Sequence, residues 1–176
     1  MSHEVEIGRG KRGRRAYTLD DIALVPARRT RDPEDVNVGW QIDAYHVDLP
    51  LMAAPMDSVM SPETAIAFGR LGGIGVLDLD GLWTRYEDPE PILDQIAHLG
   101  EEESIATLQR VYSEPIKPAL ITERLTQLRE AGVVVAGKLS PQRVQQHWRA
   151  VVDAGVDLFI IRGSTVSAEH VSSRRE

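Results

Sequence analysis

The sequence predicts an α/β fold of parallel strands joined by helices, and three observations carry that prediction. Four apolar runs, near residues 49 to 56, 73 to 79, 133 to 139 and 158 to 162, are separated by stretches with helical spacing. Two of those stretches open on Ser-Pro pairs, Ser61-Pro62 and Ser140-Pro141, in which a hydroxyl cap precedes proline at the first helical position. Ala131-Gly132-Val133 and Ala154-Gly155-Val156 repeat one helix-to-strand joint, as a right-handed crossover to a parallel neighbour requires. Four such strands make either a small open sheet or half of an eight-stranded barrel. A closed barrel takes roughly 250 residues, more than the 176 present.

Residues 1 to 48 are rich in charge and turns, with short β-like pieces at Ala16 to Leu19 and Ile22 to Pro26, and read as an arm lying on the domain. Residues 49 to 176 carry the strand-helix alternation. The first strand, 49 to 56, is nearly all apolar, which suits burial on both faces of a parallel sheet, and Pro55 ends its pairing. The helix from 61 to 71 has Glu63 at its positive end, Ala65, Phe68 and Leu71 on one face, and Gly72 as its stop. After the second strand, Ile92, Ile96 and Leu99, then Leu125 and Leu128, give a long helical crossover to about Ala131. The third strand is followed by a helix with Val144, Trp148, Val151 and Val152 on one face, and the fourth strand begins at Leu158.

The net charge of -7 disfavours nucleic acid as the main partner. The absence of cysteine removes disulfides, thiolate metal sites and a cysteine nucleophile from these residues. No apolar run approaches the roughly 20 residues that span a bilayer, and no N-terminal segment resembles a signal peptide, so the expected location is the cytoplasm, with no membrane partner.

Gly8 to Gly13 fits the letters of the dinucleotide fingerprint, but no buried strand precedes it and no apolar helix follows, so it reads as a solvated basic arm. The five histidines form no i, i+4 pair, and His98 and His147 read as partly exposed helix residues rather than metal ligands. Asp78 and Asp80 follow a buried strand at the end where ligands bind in such folds; a site role and plain loop solvation both fit. The loop 54 to 60 stands at the same end of the first strand. Met56 there offers either a core side chain or a polarisable surface for a flat ring, and Asp57 either meets a polar ligand group or caps nearby amides.

Three segments resemble the IMP dehydrogenase and GMP reductase family. They are Tyr17 to Pro26, with its aromatic-x-x-Asp-Asp-x-x-Leu-x-Pro pattern; Pro50 to Met60, with Pro-Met-Asp-Ser-Val; and Leu71 to Val76, with Gly-Gly-Ile-Gly. The resemblance implies a (β/α)8 TIM barrel, of which this chain would be an N-terminal half of about four β/α units. It implies purine nucleotide monophosphate binding by Ala54, Met56, Asp57 and Ser58. It places Arg162, Gly163 and Ser164 at the cofactor, NAD or NADP, and leaves room for a monovalent cation in the remaining half. Ala54 stands where the family usually has serine, and Arg162-Gly163-Ser164 where its dehydrogenases carry Asp-Ser-Ser. Asp78-Leu79-Asp80-Gly81 replaces the family's polar segment after the second strand. The paired regulatory modules that many relatives insert have no room between Leu82 and Val133, so the chain looks like the shorter IMP dehydrogenase-related paralogues.

The expected function is therefore oxidation of IMP to XMP with NAD in GMP biosynthesis, by a full-length homo-oligomer, with residues 1 to 176 inactive alone. The alternatives are GMP reductase-type activity, or a non-catalytic module that binds nucleotide or complements a second half-barrel.

Overall fold

The computed structural model describes residues 4–26 and 29–163, and the chain divides into two compact units, 1–37 and 38–176. In the first unit, strands β1 (Glu4–Glu6) and β2 (Arg12–Arg14) pair antiparallel. The glycine-rich stretch Gly8 to Gly13 is therefore a hairpin connection and its flank, not a strand-to-helix phosphate loop. Further on, the Asp21 carboxylate accepts from both the N–H (2.9 Å) and the hydroxyl (3.0 Å) of Thr18, closing a single 3-10 turn at Leu19–Asp21.

The second unit opens with the hairpin of β3 (Trp40–Ile42) and β4 (Tyr45–Val47), residues that the sequence reading assigns to the arm. Val47 and Ile42 pack with Ile74, Val76 and Ala136 of the sheet, so apolar burial ties the hairpin to the strands that follow. Four strands then form one parallel sheet in chain order: β5 (Met52–Ala53), β6 (Ile74–Asp78), β7 (Ala136–Leu139) and β8 (Leu158–Ile161). The first is far shorter than the expected 49 to 56. Pro50 and Pro55 have no N–H to give, and only the stretch between them joins the ladder, with Leu51 O accepting from Ile74 N at 3.0 Å.

Helix α1 (Pro62–Arg70) connects β5 to β6, and Ser61 Oγ caps it by accepting from Thr64 N at 3.1 Å. The crossover from β6 to β7 contains α2 (Glu90–Ala97), α3 (Glu101–Val111) and α4 (Pro118–Glu130); α5 (Pro141–Asp153) leads to β8. The repeated joints after α4 and α5 place Gly132 and Gly155 at φ of 73° and 74°, the left-handed C-terminal conformation that a Cβ disfavours.

The two central strands are buried on both faces, whereas the edge strands leave Met52 and Ile161 about half exposed. Leu77, Leu79 and Leu139 face helices, packing with Ile121, Leu125 and Leu128 of α4 and Val151 of α5. Ile74, Val76 and Ala136 face the other way, with Leu158 and Ile160 beside them. The alternation has a consequence at the carboxyl ends of the strands. Continuing by twos along that second face, the next residues are Asp78, Lys138 and Arg162, so apolar layers give way to a charged one.

Candidate active site at the carboxyl ends of the strands

Asp78 and Lys138 are direct partners in the β6–β7 register. Lys138 Nζ donates to Asp78 Oδ1 at 3.0 Å and to Asp80 Oδ2 at 3.0 Å, with side-chain exposures of 12%, 18% and 17% for the lysine and the two aspartates. Burial by itself lowers the pKa of the ammonium. The hydrogen bonds and charges of the two carboxylates together outweigh that effect and hold it above the ordinary lysine value. Asp80 also accepts from Ser140 N at 2.7 Å and from Ser140 Oγ at 3.3 Å, fixing the loop into α5, while Asp78 Oδ1 accepts from Asp80 N at 2.9 Å. These aspartates are thus partly buried, paired groups rather than solvated loop residues.

An ammonium has three N–H donors. Lys138 Nζ also reaches Asp78 Oδ2 at 3.2 Å, so the two carboxylates engage all three donors, and the ion-paired group lines a cavity of about 390 Å³ together with Pro55, Asp78, Arg162 and Gly163. The lining comes from the ends of all four parallel strands, which is where catalytic residues of barrel enzymes arise. Of the residues singled out from sequence, Arg162 and Gly163 line this cavity, and Ala54 is exposed next to Pro55. Ser164 lies outside the described residues.

Beyond Pro55 the chain makes a tight turn, in which Met56 O accepts from Val59 N at 3.1 Å and Met60 N at 2.8 Å. Met56 is 49% exposed and Ser58 is exposed, whereas Met60 is in the core. The Asp57 side chain turns inward. Its Oδ2 accepts from Leu82 N at 2.7 Å and from the Tyr112 hydroxyl at 2.6 Å, and its Oδ1 is buried without a hydrogen-bond partner. Asp57 thus caps a backbone amide. Burial pushes its pKa up, opposed by the bonds from Tyr112 and Leu82 and by the Arg85 charge, and reinforced by Asp78. Gly81 makes this approach possible, since a Cβ there would overlap the Asp57 carboxylate.

A second cleft, of about 260 Å³, lies behind the turn between Asp57, Ser58, Thr64, Trp83 and Asp94. It lacks cationic side chains and of the four strand ends is lined only by the turn that follows β5, so the four-strand cavity is the better candidate. Among the described residues no cluster of histidine and carboxylate side chains is arranged to hold a metal ion, and no helix is long and apolar enough to cross a membrane.

Sequence reasoning singled out neither Lys138 nor Tyr112. A signal for Lys138 exists: it is the one charge inside the apolar run Val133 to Leu139, and pairing that run with the second strand sets it opposite Asp78. Tyr112 has no comparable signal, because it reaches Asp57 across 55 residues of sequence.

Comparisons with known proteins agree with this architecture. The model of the IMP dehydrogenase / GMP reductase domain matches residues 16–174. Uncharacterised oxidoreductases of Mycolicibacterium smegmatis and of Mycobacterium tuberculosis strain H37Rv are each 43% identical over 98% of this chain and 47% of their own length. An inosine-5'-monophosphate dehydrogenase of Methanocaldococcus jannaschii is 41% identical over 36% of this chain and 13% of its own length. The crystal structure of an IMP dehydrogenase/GMP reductase-like protein from Corynebacterium glutamicum superposes with a TM-score of 0.81 at 43% identity, covering 96% of this chain and 46% of that one. The chain spans about half the length of the curated relatives it matches most fully. With a family model covering most of its residues and a parallel half-barrel presenting a charged cavity at its strand ends, this chain belongs to the IMP dehydrogenase / GMP reductase family.

Proposed function

We propose that the chain supplies one side of an oxidoreductase site in which hydride passes from a purine nucleotide monophosphate to a nicotinamide cofactor and water supplies the oxygen gained at carbon 2, converting IMP to XMP with NAD or NADP. Membership of the family and relatives named as oxidoreductases support the reaction class. The observation that carries the reading is the half-exposed Met56 on a pinned turn at the end of a parallel strand, one residue beyond Pro55 of the charged cavity.

The strand-end residues divide the work. Met56 offers a polarisable apolar surface to the purine, and Ala54 and Ser58 flank it. Lys138, held as a cation by Asp78 and Asp80, presents its positive charge to a carbonyl or hydroxyl in the cavity, and Arg162 and Gly163 would hold polar groups of the cofactor. The carboxylates of Asp78 and Asp80 balance the charges of Lys138 and Arg162, and a balanced cavity suits an uncharged ring or sugar better than a bare phosphate. The cavity volume of about 390 Å³ is adequate for such a group. When bound, the nicotinamide cofactor accepts the hydride; the residues of this chain orient the reactants. No cysteine is among these 176 residues, so a thiol nucleophile for this chemistry would have to come from elsewhere.

Calorimetric titration of IMP into the protein and its Met56→Ala variant tests the reading. An affinity loss of about 1–3 kcal/mol with an unchanged melting temperature is expected for a pocket contact. Equal affinity together with a large fall in melting temperature would make Met56 a packing residue and overturn it.

A further inference from the structure

We propose that Tyr112 is a positioning residue: its hydroxyl latches the helical crossover onto the strand-tip turn, holding Met56 and Ser58 in place through Asp57. The turn is internally tight, with two amides on Met56 O, and Met60 anchors it in the core, while its side-chain hydrogen bonds to the segments beyond pass through Asp57. One carboxylate oxygen, Asp57 Oδ2, receives both Leu82 N and the Tyr112 hydroxyl, at 2.7 and 2.6 Å. Leu82 N belongs to the loop after β6, whereas Tyr112 is the C-terminal cap residue of α3. The latch therefore joins three segments distant in sequence.

Tyr112 is itself held. The Arg85 guanidinium stands 5.5 Å from its ring centroid, and Arg85 is buried and donates to Asp80 O from Nε (3.1 Å) and Nη2 (2.9 Å) and to Glu114 O from Nη1. A ring fixed from behind and donating in front specifies the carboxylate position, a geometry that a merely space-filling aromatic does not need. Asp80 also receives Lys138, so the latch and the charged layer share an anchor. That the turn so positioned faces a purine nucleotide rests on the function proposed above.

The variant Tyr112→Phe keeps the ring and removes the donor. The groups facing Asp57 are then Leu82 N, the Arg85 cation and the Asp78 carboxylate. Without the hydroxyl the Asp57 carboxylate loses a partner that favours its ionised form, so it protonates at a higher pH than in the wild type. Hydrogen exchange followed by NMR on the 176-residue chain between pH 5 and 8 reads this directly. Protection of the Val59 and Met60 amides is expected to fall roughly tenfold in Tyr112→Phe, the size of one hydrogen bond to a charged group, with the amides of α4 unchanged. The midpoint of the pH dependence of that protection should move upward, and Asp57→Asn should abolish the dependence in both backgrounds. Unchanged protection and an unchanged profile would overturn the latch. IMP titration in parallel keeps the two ideas apart: a wild type that shows the exchange effect but does not bind IMP upholds the latch and sinks the nucleotide reading. Where the wild type does bind IMP, equal affinity in Tyr112→Phe removes the positioning role.

Discussion

Replacing Lys138 by methionine keeps an unbranched stem of similar length and deletes the charge that holds Asp78 and Asp80 together. Removing one partner of a buried ion pair costs about 3–5 kcal/mol when the other is left bare. Here the loss is smaller, because Asp80 keeps Ser140 N at 2.7 Å and Asp78 keeps Asp80 N at 2.9 Å. The carboxylates also retain 17% and 18% exposure, which lets water share the load. About 2–3 kcal/mol is therefore expected, or roughly 4–12 °C in melting temperature for a chain of this size. The pH dependence has a definite sign. The folded pKa of Lys138 lies above the unfolded one, so its contribution is fully present below the unfolded value and disappears as pH rises through the folded value. Urea unfolding of wild type and Lys138→Met from about pH 6 to pH 9 should give a constant difference, since lysine in the unfolded chain titrates near pH 10.4. A difference below about 0.5 kcal/mol, the range of exposed surface pairs, would show that the charged layer does not act as a buried network.

Two further predictions concern packing and titration. Leu125 is fully buried between α4 and the sheet, and Leu125→Ala should cost about 2–5 kcal/mol in denaturant unfolding; a loss under about 1 kcal/mol would mean that the helix layer repacks freely. For His147, burial first and then the charges of Arg143 and Arg85 lower the pKa against the pull of Asp80, and its Nδ1 is buried without a partner. Its neutral form is favoured in the folded state, so stability is full above the unfolded value near 6.5 and falls as pH drops toward the lower folded value. His147→Gln should flatten the change in urea midpoint between about pH 7 and pH 5, and an unaltered slope would assign that dependence to other groups.

The strand-helix order was legible because it rests on local chemistry: serine caps, first-turn prolines and apolar runs act over a few residues, and all four parallel strands lie within the expected runs. Strand lengths were less legible. The run from 49 to 56 satisfies the apolar pattern, yet pairing depends on donors that Pro50 and Pro55 lack, and on where Gly72 to Gly75 come to lie. At the site, Met56 and Asp57 stood out for their place at a strand tip, and the amide-capping alternative for Asp57 is the one that the Leu82 contact displays. Lys138 was hidden because its partners come from another strand and its meaning depends on register. The Tyr112 contact is longer-range still and depends on how α3 returns over the sheet.

The pairing of Asp78 with Lys138 in the ladder also bears on how the chain avoids misassembly. Sliding β7 by one residue along β6 would exchange its two faces, sending Lys138 toward Leu79 and Leu125 while Leu139 moved to the charged side. Hydrophobic content alone would penalise that slip weakly, since Ala136 and Gly137 are small and tolerate either environment. An unpaired ammonium among leucines makes it prohibitive, and Asp78 would at the same moment lose its partner. The charged layer thus acts as a vernier on the sheet, selecting one alignment among several apolar near-equivalents.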